Sequence, residues 1–180
     1  ELEGISLLRR QWKIANTLTD AVWDVKSRPE QYQSMLPPNA QWIRETPPAS
    51  DTVPPGPLVA FTQALTQIKT DWILLLACDL PALRSEVLQQ WQQSLPDVPP
   101  NAIAYLPRTT KGWEPLCGFY RYTSLPSLQT HVAAGRRSFQ KWLNQQTVQA
   151  IPDVSPVMLI NCNTPEDWAQ YCDCQSPSLD

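Results

Sequence analysis

Asp79 follows the run Trp72-Ile73-Leu74-Leu75-Leu76-Ala77-Cys78, so the most apolar stretch of the chain ends on a carboxylate, with Leu80-Pro81 directly after it. A continuous apolar run of strand length is what a central strand presents when helices cover both faces of a parallel sheet. Ligands of such sheets gather outside the carboxyl ends of the strands. A carboxylate at that place suits Mg2+, a hard cation that takes one or two protein carboxylates and completes its shell with water and phosphate oxygens. An aspartate before Leu-Pro also caps turns and helices. The residue pattern leaves both roles open.

Three further segments carry groups of the same kind. Asn161-Cys162-Asn163-Thr164-Pro165-Glu166-Asp167 reads as the end of a strand and the start of a helix, which would set the Asn161 and Asn163 amides at the same sheet edge as Asp79. Asn163 or Thr164 followed by Pro165 and Glu166 is equally a sound helix start. Lys111-Gly112-Trp113-Glu114-Pro115-Leu116 and Gly135-Arg136-Arg137-Ser138 are loops with concentrated positive charge. Arginine forks and helix starts suit phosphate, and solvated basic turns have the same composition. His131 is the only histidine, and it falls inside an expected helix, so no Ser-His-Asp or Cys-His arrangement is available. The five cysteines lack the paired spacing of a zinc site and receive no role.

The elements that must position these groups alternate. Ile5 to Leu18 has helical periodicity, with Ile5, Leu8, Trp12, Ala15 and Leu18 on the stripe facing the core and Arg9, Arg10 and Lys13 on other faces. Strands are expected at 21–25, 40–44, 72–77, 102–106, 116–120, near 148 and at 157–160. Helices are expected from Pro29 towards Met35, at 57–69, 84–95, 127–134 and 138–145, and after Thr164. Thr46 to Pro55 is proline-rich and reads as an exposed loop. Strands alternating with helices give an α/β fold with an open, mostly parallel sheet between two helical layers, the middle of the chain contributing an antiparallel or mixed edge.

Composition agrees with one ordinary globular domain: 180 residues, 42% hydrophobic and 17% charged. A formal net charge of −3 argues against a nucleic-acid partner, whose binding surfaces are strongly basic. No apolar run approaches the ~18 residues of a membrane span, and no secretory signal opens the chain, so neither a membrane nor an export route is expected and the cytoplasm is the expected address.

Taken together, Gly56-Pro57-Leu58, Ala77-Cys78-Asp79-Leu80-Pro81, Trp113-Glu114-Pro115-Leu116-Cys117-Gly118-Phe119-Tyr120, Gly135-Arg136-Arg137-Ser138 and Asn161-Cys162-Asn163-Thr164-Pro165-Glu166-Asp167 resemble the molybdenum cofactor guanylyltransferase family in order and spacing. The resemblance spans nearly the whole chain. It implies a three-layer Rossmann-like nucleotidyltransferase fold and Mg2+-dependent transfer of GMP from GTP to molybdopterin, with release of pyrophosphate. GTP and molybdopterin are the implied partners, with room for other molybdenum cofactor biosynthesis proteins.

Carried over by position, the resemblance makes Asp79 the metal-binding aspartate and gives Asn161 and Asn163 a place near the reacting phosphates. Ser27, Asp51 and Gly56 fall on the nucleotide side, and Glu114 and Arg136 on the side that receives molybdopterin. Members of the family open with a strand and a glycine-rich phosphate loop followed by a lysine; Glu1-Leu2-Glu3-Gly4-Ile5 resembles the segment just after that lysine. Residues 1–180 are therefore expected to be a single nucleotidyltransferase domain truncated at its N-terminus. The alternatives are a related transferase using CTP or a sugar phosphate, and a non-catalytic nucleotide-binding module.

Overall fold

Alternation of side chains along three strands fixes the architecture. In the computed structural model, which describes residues 4–19, 21–46, 56–164, 166–169 and 171, the strands β3 (Trp72–Leu76), β4 (Ala104–Leu106), β7 (Cys117–Arg121) and β8 (Val148–Ala150) form one sheet in the order β3-β7-β4-β8. Ile73, Ala104, Leu106 and Tyr120 point into one buried cluster, and Tyr105, Cys117 and Phe119 into another. The period of two sends neighbouring residues to opposite faces, so both faces need a helical cover. The helices α2 (Pro57–Leu65), α4 (Leu125–Ala133) and α5 (Phe139–Leu143) supply Leu58, Phe61, Leu128, Phe139 and Trp142 to the first cluster. The helices α1 (Leu7–Asn16) and α3 (Ser85–Gln93) supply Ile14, Leu88 and Trp91 to the second. Helix, sheet and helix make three layers, as the sequence implies.

The strands β3, β4 and β8 run the same way, because β4 and β8 pair in parallel and both β3 and β4 pair antiparallel to β7. The reversed strand is not an edge: β7 lies between β3 and β4. Its direction follows from its connection. Only the small hairpin of β5 (Arg108–Thr109) and β6 (Gly112–Trp113) separates β4 from β7, and a connection without a crossover element returns the chain antiparallel. A separate parallel pair, β1 (Trp23–Lys26) and β2 (Gln41–Arg44), packs against α2.

Several expectations are corrected. The apolar run 72–77, expected as a central strand, is an end strand of the four-stranded sheet, and only Ile73 of β3 is fully buried. Residues 157–160 form no strand; Pro156–Leu159 is a 3-10 turn with Pro156 in its first turn and Val157 and Ile160 exposed, so those apolar side chains lack the buried sheet that would recruit them. The segment from Pro29 to Met35 is two short 3-10 turns rather than one helix. The first helix also turns a different stripe inward: Gln11 and Ile14 are its buried residues, while Leu8, Trp12 and Ala15 are only half-buried. The expected loop at Thr46 to Pro55 lies, beyond Thr46, outside the described residues.

Candidate active site

At the carboxyl end of β3 the chain leaves the sheet through Ala77 and Cys78 and enters a turn, with the Leu83 N–H donating to the Leu80 carbonyl at 3.3 Å. Asp79 sits at the start of that turn. Its Oδ1 is buried and has no hydrogen-bond partner, which is costly for a carboxylate unless something outside the protein completes it. The capping role left open by the sequence would have given that oxygen a backbone N–H.

The asparagine segment meets Asp79 directly. The Cys162 N–H donates to the Asp79 carbonyl at 2.9 Å, joining two stretches that lie far apart in sequence. Asn161 and Asn163 flank that bond and are exposed, so the backbone of the motif, with no strand of its own, meets the end of β3. The local fold explains the order here. The Asp167 carboxylate accepts from the Asn163 and Thr164 N–H groups at 3.0 and 2.9 Å, and its own N–H donates to Thr164 Oγ1 at 3.1 Å. These bonds hold the Asp167 carboxyl below its ordinary range and start the helix at residues 166–169. The helix-start reading holds for Asp167 and Thr164, which make the capping bonds, while Asn161 and Asn163 are exposed.

Glu114 belongs to the same edge. Leu116 accepts from the Ala77 N–H at 2.7 Å, continuing the β3–β7 ladder towards Asp79. Glu114 itself is half-buried, donates its N–H to the Pro107 carbonyl, and accepts from Thr109 Oγ1 at 3.3 Å. Burial and the nearby Glu114 charge push the Cys117 thiol up to about 12.

Arg136 lies apart from this cluster. It is exposed and borders a cavity of about 410 Å3 between α4 and α5, beside the buried His131, whose imidazole is held below its usual range by burial and by the Arg136 charge. The tie to Glu114 is indirect: Gln140, four residues after Arg136, exchanges two hydrogen bonds with the backbone of Trp113, which precedes Glu114.

Ser27 and Gly56 fall on the β1–β2 side. Ser27 is exposed immediately after β1, and its carbonyl accepts from Arg44 at 3.3 Å. Gly56 has φ +77° at the start of α2, where a Cβ would meet nothing within 4 Å; glycine is needed there for backbone conformation rather than for space. Asp51 lies outside the described residues.

Two polar residues escaped sequence reasoning. Gln11 and Arg10 on α1 reach the turn after β3, donating to the Leu80 and Leu83 carbonyls at 2.5 and 2.7 Å. Helical periodicity assigned Arg10 to an outer face and gave no signal for Gln11, because a buried polar residue looks like a break in the stripe.

Asp79 fits a divalent cation in one respect, its unpartnered buried oxygen. Among the described residues no group of three or more His, Cys, Asp or Glu side chains is placed to hold a metal, so a cation at Asp79 needs phosphate and water oxygens for the rest of its shell. Among the described residues no helix is long and apolar enough to cross a membrane.

Comparison with known proteins bears on the same segments. Residues 1–151 match the family model of the MobA-like NTP transferase domain. A protein of Nostoc sp. named a probable molybdenum cofactor guanylyltransferase is 46% identical over 93% of this chain and 78% of its own length. One from Synechococcus elongatus, with the same name, is 46% identical over 93% of this chain and 84% of its own. Among solved structures, a molybdopterin-guanine dinucleotide biosynthesis protein A from Archaeoglobus fulgidus superposes with a TM-score of 0.68 at 19% identity, covering 91% of this chain and 84% of that one. That likeness shows a shared Rossmann-like nucleotidyltransferase fold.

Proposed function

Because the chain belongs to the MobA-like NTP transferase family, we propose that it is a molybdenum cofactor guanylyltransferase, transferring GMP from GTP to molybdopterin. A terminal phosphate oxygen of molybdopterin forms the new bond to the α-phosphorus of GTP, the α–β bridging bond breaks, and pyrophosphate leaves with the electron pair. The nucleophile is already anionic, so the reaction needs no general base, and the work left to the protein is positioning and charge stabilisation. This reading takes the chain as one nucleotidyltransferase domain working in the cytoplasm.

The observation that carries the assignment of roles is the backbone bond from Cys162 to Asp79 beside an unpartnered Asp79 oxygen. Asp79 is the residue that would hold Mg2+, and when bound the cation supplies neutralisation of charge on the nucleotide phosphates. The Asn161 and Asn163 amides donate towards the same phosphates. Ser27, Asp51 and Gly56 are assigned to GTP, and Glu114 and Arg136 to molybdopterin. The relatives' printed names favour GTP over CTP or a sugar phosphate.

The test is pyrophosphate release by the intact protein with molybdopterin, Mg2+ and either GTP or CTP. Wild type is expected to turn over GTP in preference to CTP. Asp79→Asn is expected to lower kcat by about 10²–10³-fold, the cost of removing one preorganised electrostatic group, with an unchanged melting temperature. Retained turnover in that variant removes Asp79 from the mechanism.

A further inference from the structure

Three carbonyls of the Asp79–Leu83 turn accept from other elements, and only that of Leu80 is also bonded within the turn, by the Leu83 N–H. Cys162 donates to Asp79, Gln11 to Leu80 and Arg10 to Leu83. The two α1 donors lie 69 and 73 residues away in sequence, so nothing local demands them. Gln11 is only 5% exposed on the buried face of α1, and its Oε1 has no partner, as is also true of Arg10 Nη1. A half-satisfied amide in a core is worse for stability than an apolar side chain of the same size. Stability alone would favour leucine or methionine at this position, so the amide is explained by what its one made bond does.

From this we infer that Gln11 and Arg10 are positioning residues that fix the turn after β3 and thereby aim the Asp79 carboxylate. The inference rests on the reading of Asp79 as the metal-holding residue. Asp79 is thus clamped on two sides, by the asparagine segment through Cys162 and by α1 through the two carbonyls that follow. Groups that orient a metal-holding side chain through a hydrogen bond typically change metal affinity or activity by about 10–100-fold when removed, and a misplacement near 1 Å costs about 10²-fold in rate.

The experiment measures Mn2+ binding to the intact protein in the presence of α,β-methylene GTP, by the electron paramagnetic resonance signal of free Mn2+, alongside kcat and KM for GTP. Gln11→Met is expected to weaken Mn2+ binding roughly tenfold and to lower kcat by about 10–100-fold, with KM for GTP changed less than about twofold. Arg10→Ala is expected to act in the same direction, and Arg10→Lys, which keeps one donor for the Leu83 carbonyl, to recover most of the loss. Arg10 is only half-buried, so the Ala and Lys pair carries the test if Gln11→Met does not fold. Wild-type Mn2+ affinity in Gln11→Met and Arg10→Ala, with affinity lost in Asp79→Asn, overturns the positioning role alone. Wild-type affinity in Asp79→Asn overturns the metal reading and the positioning role with it.

Discussion

Replacing Gly118 by alanine would test whether β7 holds the end of β3 in place. A Cβ at Gly118 would lie 2.7 Å from the Tyr105 carbonyl oxygen, 2.7 Å from Leu106 Cδ2 and 3.3 Å from Leu106 Cα. The Leu106 methyl can rotate away, but the carbonyl belongs to β4, whose Tyr105 is paired with Phe119 of β7, so relief requires the two strands to part by several tenths of an ångström. Overpacking of this kind costs about 1–3 kcal/mol, and contact with backbone puts Gly118→Ala at the upper end. Alanine also restricts the unfolded chain, which offsets about 0.4–1 kcal/mol. The net loss of about 2 kcal/mol lowers Tm by roughly 4–8 °C in a chain of this size. Gly118 pairs with Leu75 on the other side, so the displacement also reaches the strand that ends at Asp79, and kcat is expected to fall by roughly tenfold. Thermal unfolding followed by circular dichroism, with pyrophosphate release, measures both. A Tm within 2 °C of wild type would refute the reasoning that this contact is incompressible.

Cysteine reactivity should follow burial. Cys117 is buried with its thiol pushed up to about 12, so iodoacetamide at pH 8 is expected to label the exposed Cys78 in the native protein and to spare Cys117 until denaturant is added, as peptide mass mapping will report. Acid sensitivity should include Asp167, whose folded carboxyl lies below its ordinary value of 3.8 because the Thr164 and Asn163 N–H groups bond the ionised form. That contribution is complete above the unfolded value and is lost as pH falls through the lower folded value. Asp167→Asn is therefore expected to flatten the acid limb of a urea-midpoint profile between pH 5 and pH 2.5, and a profile parallel to wild type counts against it.

What the sequence alone determined is the layered plan and the place of Asp79 just beyond β3. The apolar run 72–77 declared a strand packed against both core clusters, although it ends the sheet rather than lying at its centre, and the carboxylate after it marked the end of the strand outside which ligands of such sheets gather, because both signals are local in the chain. The motifs around Asp79, Glu114 and Asn161 were legible for the same reason. Only the tertiary structure decided what those motifs touch. The Cys162–Asp79 bond, the insertion of β7 between β3 and β4, and the reach of Gln11 and Arg10 into the turn are contacts between residues distant in sequence, and periodicity carries no information about distant partners. It also misread the first helix: a buried glutamine registers as a polar gap in an apolar stripe, and only the carbonyl it bonds, supplied by another part of the fold, explains why it faces inward.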